Sequence, residues 1–275
     1  MTYRAVAVAV CCLLVAVAWA GPDQRFQREL HGIKGAEDQR VRLVATEFPW
    51  SALGRLNNGQ GGHCSGTLIG PRLVATAAHC LWNDRTRRPM PASAFTFVAG
   101  YDRGDYLRAS KVTAVHPSPA WVFTSERQPL ASRADDWALL ELTDALGDEI
   151  GWIAPAEPRT GMAVAVAGYG RDKAFVPLAH IGCHLTGQGA VGVFFHDCDA
   201  VQGESGGPVL AWVGGQPRLV AVNVAVIPSR GELGVAAGVA PLAALAKTLG
   251  GAGSTRSGPL SRPSSIDLDA VLGGR

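Results

Sequence analysis

Short apolar runs, separated by Gly, Pro, Asn and Asp, follow one another from Val41 onwards. Many β-like runs with turn residues between them predict an all-β fold, either a sandwich or a barrel. Strands do not alternate with long amphipathic helices, which argues against an α/β fold. The clearest runs cover residues 73–78, 94–99, 111–115, 137–142, 162–167, 191–195, 208–213 and 219–227.

The apolar pattern also indicates how the chain is organised. Residues 144–158 are rich in turn formers and acids and separate two strand-rich halves, so we predict a domain linker there. One helix is predicted over residues 241–249, with Pro241 in its first turn and Gly250 after its end. Residues 251–275 contain few large apolar side chains and are predicted to form a disordered tail.

The N-terminus has the pattern of an export signal. Arg4 precedes an apolar run over residues 5–17, and the sequence AWA at residues 18–20 supplies a small-residue cleavage site. The run is too short to cross a bilayer comfortably as an anchor. We therefore predict a signal peptide over residues 1–20 and a secreted or periplasmic protein without stable membrane association. Residues 21–40 are polar, and we predict a pro-segment or N-terminal arm there.

Composition narrows the possible partners. Hydrophobic residues make up 47% of the 275 residues and charged residues 17%, which is typical of a globular protein. The net charge is only +2, and no long basic run is present, so nucleic acid is not expected as a partner.

Four cysteines remain after the predicted signal cleavage, namely Cys64, Cys80, Cys183 and Cys198. An even number in an exported chain favours two disulfides, and three pairings are possible. The simplest pairing joins the cysteines that are close in sequence. A zinc site is the alternative, since His180, Cys183, His184, His196 and Cys198 are neighbours in sequence. We favour the disulfide over this metal site.

Three segments carry candidate catalytic side chains. His79 follows a β-like run and adjoins a cysteine, which suits a general base that must be held in place. Asp136 precedes an apolar strand, where a buried carboxylate can accept a bond from an imidazole N–H. Ser205 lies among glycines, which let successive N–H groups converge on one point. A hydroxyl nucleophile needs such donors for the developing oxyanion, and we assign them to Gly203 and Ser205.

The segments TAAHC, DWALLEL and GESGGP, at residues 76–80, 136–142 and 203–208, resemble the chymotrypsin- or trypsin-like serine peptidases. The resemblance covers roughly residues 41–250, and the surrounding segments look like exported bacterial members related to glutamyl endopeptidases. It implies two antiparallel Greek-key six-stranded β-barrels with the active site in the cleft between them. The first barrel is expected over residues 41–145. The second, with the linker and the short C-terminal helix, is expected over residues 146–250. The resemblance also supports the Cys64–Cys80 pair.

The same resemblance implies a serine endopeptidase that acts on a protein or peptide substrate. Ser205 would attack the peptide carbonyl, His79 would take its proton, and Asp136 would orient His79. This chemistry requires no cofactor and no metal, and we expect a monomer. The alternative from a different functional class is a catalytically inactive peptidase-like binding protein.

Glu204 departs from the animal members of the family, which usually carry Asp at this position. There the carboxylate pairs with a new N-terminal amine released by cleavage. We favour a bacterial-type enzyme that needs no such insertion, and cleavage between Arg40 and Val41 is the alternative.

Asp199 bears on specificity, because it lies six residues before Ser205. In trypsin that position holds the carboxylate at the base of the primary pocket, so Asp199 is a candidate substrate-binding residue with a preference for Arg or Lys. The cysteine usual in this loop is replaced by Val201. The glutamyl alternative would need a histidine in the strand after the serine, where Asn223 is the nearest candidate position.

Overall fold

The computed structural model describes residues 31–126 and 128–250. The predicted signal peptide over residues 1–20 and the predicted tail over residues 251–275 lie outside the described residues, as does the first part of the predicted arm. No helix among the residues that are described is long and apolar enough to cross a membrane.

Strands dominate the described chain, and the helices are short. In chain order the strands are β1 (Val41–Arg42), β2 (Leu53–Asn57), β3 (His63–Leu68), β4 (Leu73–Thr76), β5 (Trp82–Asn83), β6 (Arg88–Pro89), β7 (Thr96–Ala99), β8 (Arg108–Pro117), β9 (Ala138–Leu142), β10 (Ala163–Gly168), β11 (Leu178–Gln188), β12 (Val193–His196), β13 (Pro208–Val213), β14 (Gln216–Ile227) and β15 (Leu233–Gly238). The α-helices are α1 (Leu146–Ile150) and α2 (Ala240–Thr248). Short 3-10 helices of one or two turns cover Trp50–Ala52, Ala78–Leu81, Ala92–Ala94, Leu130–Asp135, Arg171–Lys173 and Pro228–Arg230.

The first barrel closes on itself in the spatial order β2-β3-β4-β9-β8-β7, with β7 paired back to β2. Every neighbouring pair is antiparallel. The chain therefore leaves β4 and returns beside it only at β9, as in a Greek key. Its interior is filled by fully buried side chains such as Leu56, Phe97 and Leu140. Gly54 faces Phe97 so closely that an added Cβ would overlap the ring.

The second barrel consists of the six strands β11-β10-β13-β14-β15-β12, and the pairing of β11 with β12 closes the ring. The two-residue strand β1 is an additional strand that pairs antiparallel with the start of β11, where Val41 lies opposite Ala179. The core of this barrel contains Val166, Leu185 and Val209, each fully buried.

The fold class predicted from the sequence is confirmed: two six-stranded antiparallel barrels and a short C-terminal helix are present. That helix spans Ala240–Thr248, one residue earlier at each end than the predicted residues 241–249. The predicted linker segment contains the short helix α1.

Two disulfides join the cysteines that are closest in sequence. Cys64 in β3 is bonded to Cys80, beside His79, and Cys183 in β11 is bonded to Cys198, ahead of Ser205. Each disulfide thus ties a barrel strand to a segment that carries a candidate catalytic residue.

Candidate active site

His79 and Asp136 come together because of the register between β4 and β9. Thr76 lies opposite Ala138 at the end of this antiparallel pair. His79 follows just after Thr76, in the 3-10 turn Ala78–Leu81, and Asp136 comes just before Ala138. Both side chains are therefore delivered to the same edge of the first barrel.

The Asp136 carboxylate is completely buried and is surrounded by donors. Its two oxygens lie 3.0 and 2.9 Å from Nδ1 of His79, and the backbone N–H of His79 donates to it at 2.9 Å. Arg133 Nη1 adds a bond of 2.8 Å. Burial alone would raise the pKa of Asp136, but His79 and Arg133 outweigh it and hold that pKa below its ordinary value.

An ionised carboxylate can only accept hydrogen bonds. Nδ1 of His79 therefore carries a proton, and in the neutral ring the lone pair is on Nε2. The imidazole is oriented by Asp136 in the tautomer that a general base needs.

Ser205 lies in the turn that leads into β13, and a side chain from the first barrel holds this turn. Ser65, which is fully buried in β3, donates its N–H to the Ser205 carbonyl at 2.9 Å and its hydroxyl to the Gly203 carbonyl at 3.1 Å. The Tyr169 N–H donates to the Ser65 hydroxyl at 2.8 Å. The two barrels are thus joined directly behind the candidate nucleophile.

The backbone N–H groups of residues 203–207 fall into two sets. Those of Glu204, Gly206 and Gly207 donate to carbonyl oxygens at 3.1, 2.8 and 2.9 Å. Those of Gly203 and Ser205 donate to no acceptor among the described residues. Gly203 has a φ of +102°, a conformation that glycine adopts without strain. The two donors predicted for the oxyanion are therefore the two that are left free.

Gly203, Ser205 and His79 line one cavity of about 420 Å³. Within the described residues, the hydrogen bonds of the His79 ring all go to Asp136, and His79 and Ser205 are brought together by sharing this cavity. Catalytic hydrogen bonds are often long in an unoccupied site and tighten when substrate binds.

A second cavity, of about 240 Å³, also includes His79 and is lined by aromatic side chains. The rings of Trp82 and Phe123 are stacked with their centroids 5.8 Å apart, and Trp121 meets Phe123 edge-on at 6.5 Å. The cleft around His79 therefore has a polar cavity and an aromatic one.

Asp199 does not lie in either cavity. It is completely buried, and its two carboxylate oxygens accept the backbone N–H groups of Lys34 and Gln39 at 2.7 and 2.9 Å. The structure therefore places this candidate substrate-binding residue against the N-terminal arm, and it does not bring Asp199 together with His79 and Ser205.

Glu204 is also completely buried, and its partner is a guanidinium. Arg40 Nη1 donates to Oε1 of Glu204 at 2.6 Å, and the Val201 N–H donates to Oε2 at 3.2 Å. Burial raises the pKa of Glu204 to about 7, against the opposing effect of Arg40.

The histidine and cysteine cluster weighed as a zinc site contains no free thiol pair, because Cys183 and Cys198 are joined to each other. His196 is buried instead beside Asn223, with its Nε2 at 3.3 Å from the amide oxygen. Burial lowers the pKa of His196 to about 4, so its ring is neutral. The side chain of Asn223, the position considered for glutamyl recognition, is thus buried and contacts His196.

Sequence reasoning missed Ser65 and Arg133, and it considered Arg40 only as part of a cleavage site. Arg133 lies three residues before Asp136, so a search for cations near the candidate carboxylate would have found it. Ser65 follows a cysteine that is bonded beside His79, which is a weaker signal. Arg40 contacts Glu204 across 164 residues of sequence, and no local pattern indicates that contact.

Comparisons with known proteins agree on one family and one fold. The family model described as Trypsin matches residues 39–246. A solved structure described as Glu endopeptidase in complex with MPD superposes with a TM-score of 0.65 over 80% of this chain and 98% of that chain. At 19% sequence identity, this likeness shows the fold alone.

A curated relative is the glutamyl endopeptidase of Bacillus licheniformis. It is 25% identical over 148 residues, which are 52% of this chain and 44% of the relative. The chain thus spans less than half the length of the curated relative that it matches.

The geometry generates a prediction about Asp136. Asp136→Asn is expected to slow the reaction of Ser205 with a fluorophosphonate at pH 7 by about 10³- to 10⁴-fold, because an amide neither fixes the tautomer nor stabilises the imidazolium. The rate is measured by mass spectrometry of the labelled protein. Asp135→Asn is the matched control, since the Asp135 carboxylate bonds to one side chain in the described part of the protein, that of Ser118 at 3.1 Å. Equal rates for the two variants would show that Asp136 does not orient His79.

Proposed function

The chain belongs to the trypsin family, and on that premise we propose that it is an exported serine endopeptidase that cleaves protein or peptide substrates. One observation carries the proposal. Asp136, fully buried, is bonded to His79, and the cavity that His79 shares with Ser205 is also lined by Gly203. The backbone N–H groups of Gly203 and Ser205 have no acceptor among the described residues.

The proposed reaction proceeds in two halves. His79 removes the proton from the Ser205 hydroxyl as its oxygen attacks the substrate carbonyl, and the N–H groups of Gly203 and Ser205 stabilise the oxyanion. The imidazolium then gives its proton to the leaving amine, which leaves an acyl-enzyme on Ser205. Water, activated by the same imidazole, hydrolyses the acyl-enzyme and restores the free serine. Asp136 stabilises the imidazolium in both halves.

Export is the second element of the proposal. The predicted signal peptide and the two disulfides both favour an oxidising compartment outside the cytoplasm. The alternative of an inactive binding protein is less favoured, because all three positions of the candidate triad carry residues that can react.

Specificity is proposed from the charges around the cavity. Arg85 and Arg171 are exposed side chains in its wall, and neither makes an ion pair or side-chain hydrogen bond within the described part of the chain. Asp84 is the one carboxylate in that wall. We therefore propose a preference for acidic substrate residues, which fits the name of the glutamyl endopeptidase relative.

The earlier expectation of Arg or Lys preference depended on Asp199. Asp199 is completely buried, and its two oxygens accept the backbone N–H groups of Lys34 and Gln39. A basic substrate side chain could therefore reach this carboxylate only if residues 34–39 moved away from it.

Ser205→Ala is expected to abolish peptide hydrolysis and labelling by a fluorophosphonate while leaving the fold intact, because the change removes one hydroxyl. Hydrolysis is measured with fluorogenic peptides, and folding by circular dichroism. The matched control is Ser132→Ala, because the Ser132 hydroxyl contacts, among the described residues, only the Pro129 carbonyl and the Gln128 side chain. Wild-type protein that is folded but neither hydrolyses peptides nor reacts with the label would support the binding-protein alternative.

A peptide set that varies only the residues beside the scissile bond tests the specificity. We expect peptides with Glu or Asp beside the scissile bond to be cleaved at least about fivefold faster than peptides with Lys or Arg there. This is the ratio that an exposed charge pair of about 1 kcal/mol supplies. Arg171→Gln should reduce this preference. The control, Arg108→Gln, removes an exposed arginine that pairs with Glu149 and should keep it. Faster cleavage at Lys or Arg would contradict the proposal and favour a role for Asp199.

A further inference from the structure

Residues 32–40, which belong to the predicted N-terminal arm, lie along residues 198–204, the segment directly before Ser205. Besides the contacts with Asp199, the Gly32 carbonyl accepts the Ala200 N–H at 2.9 Å, and Nζ of Lys34 donates to the Cys198 carbonyl at 2.6 Å. The arm is therefore bonded at successive positions to the segment that precedes the candidate nucleophile.

Arg40 is the last residue of this arm, and its side chain has no exposed surface. Nε and Nη2 donate to Asp38 at 2.9 Å each, and Nη2 also donates to Asp172 at 2.6 Å. Nη1 donates to Asp172 at 3.4 Å and to Glu204 at 2.6 Å. Five N–H groups thus make five bonds to carboxylates, which is the full donor capacity of a guanidinium.

A lysine could not reproduce this arrangement, because an ammonium has three donors that radiate from one atom. Burial disfavours the charge on Arg40, but Asp38, Glu204 and Asp172 outweigh burial and raise the pKa of Arg40 above its ordinary value. The side chain is therefore a permanent cation inside the protein.

Glu204 transmits this contact to the turn. It lies between Gly203 and Ser205, whose backbone N–H groups have no acceptor among the described residues. Its carboxylate is bonded to Arg40 at one oxygen and to the Val201 N–H at the other. A carboxylate held at both oxygens restrains the peptide units on either side of it.

We propose that Arg40 is a positioning residue that holds the Gly203 and Ser205 N–H groups in place through Glu204. The arm up to Arg40 must then stay in place for full activity, and no new amine at Val41 is required. The kinetic part of this proposal rests on the proposed peptidase function.

The position of Val41 supports the same conclusion. Val41 is paired in β1 with Ala179, and 52% of its surface is exposed. Arg40 already occupies the place of a cationic partner at Glu204. A free amine at Val41 would have to leave β1 and displace the guanidinium in order to reach that carboxylate.

Kinetic measurements on the full chain test the proposal with three variants, Arg40→Met, Arg40→Lys and Arg42→Gln. Arg40→Met should lower kcat by about 10²-fold, comparable to the loss of one oxyanion donor, and change KM less than about threefold. Arg40→Lys should recover part of kcat. Arg42→Gln is the matched control, because Arg42 is exposed and its one ion-pair partner among the described residues is Asp102, and this variant should behave as wild type.

Binding of a peptide trifluoromethyl ketone separates positioning from general damage. This probe forms a tetrahedral oxyanion on serine, so Arg40→Met should weaken it about as much as it lowers kcat, while the affinity for the matching peptide amide stays unchanged. Equal loss for both ligands, or a wild-type kcat in Arg40→Met, would overturn the proposal. If Arg40→Met fails to fold, the affinities for the two ligands are compared in the double variant Arg40→Met/Glu204→Gln, which lacks both charges.

Hydrogen exchange gives a readout that does not depend on catalysis. The amides of residues 202–207 should exchange at least about tenfold faster in Arg40→Met than in Arg42→Gln, because the turn loses its restraint. Unchanged exchange would refute the positioning role even if the protein proved to have no peptidase activity.

N-terminal sequencing of the active secreted form should find a chain that begins before Gly32. An active form that begins at Val41 would also refute the positioning role of Arg40.

Discussion

The buried contact between the Arg40 guanidinium and the Glu204 carboxylate lies directly behind the turn that carries the candidate nucleophile. Glu204 is completely buried, and a buried carboxylate without a partner would destabilise the fold. The arm therefore has to bring a cation to this place. The geometry of the Gly203–Ser205 turn depends on that contact, on the Ser65 bonds from the first barrel, and on the glycines that permit the turn.

The candidate site contains two buried carboxylates with different partners. Glu204 faces a guanidinium, which stays protonated throughout the neutral pH range. Asp136 faces His79, the imidazole that takes up and releases a proton in the proposed reaction. The first pair suits a support for the oxyanion donors, because Arg40 is held by Asp38 and Asp172 as well as by Glu204. The second suits a proton transfer, because the carboxylate is already in place when the imidazole becomes charged.

His79, Asp136 and Ser205 could be selected from sequence as candidates because each lies in a short local pattern, and the paired strands β4 and β9 bring the first two together. The two-barrel fold was implied by the family resemblance that the same segments carry. The surroundings of Asp199 could not be predicted from sequence. Its spacing from Ser205 suggested a substrate-binding role, but its carboxylate is bonded to the backbone of Lys34 and Gln39, about 160 residues earlier. Val201, which replaces the usual cysteine, was the one local sign of a different arrangement.

The most direct test of the account is a crystal structure of the protein with Ser205 phosphonylated by a peptide phosphonate. The account predicts a phosphonyl oxygen at about 2.7–3.1 Å from both the Gly203 and the Ser205 nitrogen, the range for oxyanion donors. It also predicts that Arg40 Nη1 still donates to Glu204 in that complex. A phosphonyl oxygen turned away from both nitrogens, or a Glu204 carboxylate released from Arg40 while the oxyanion is bound, would contradict it.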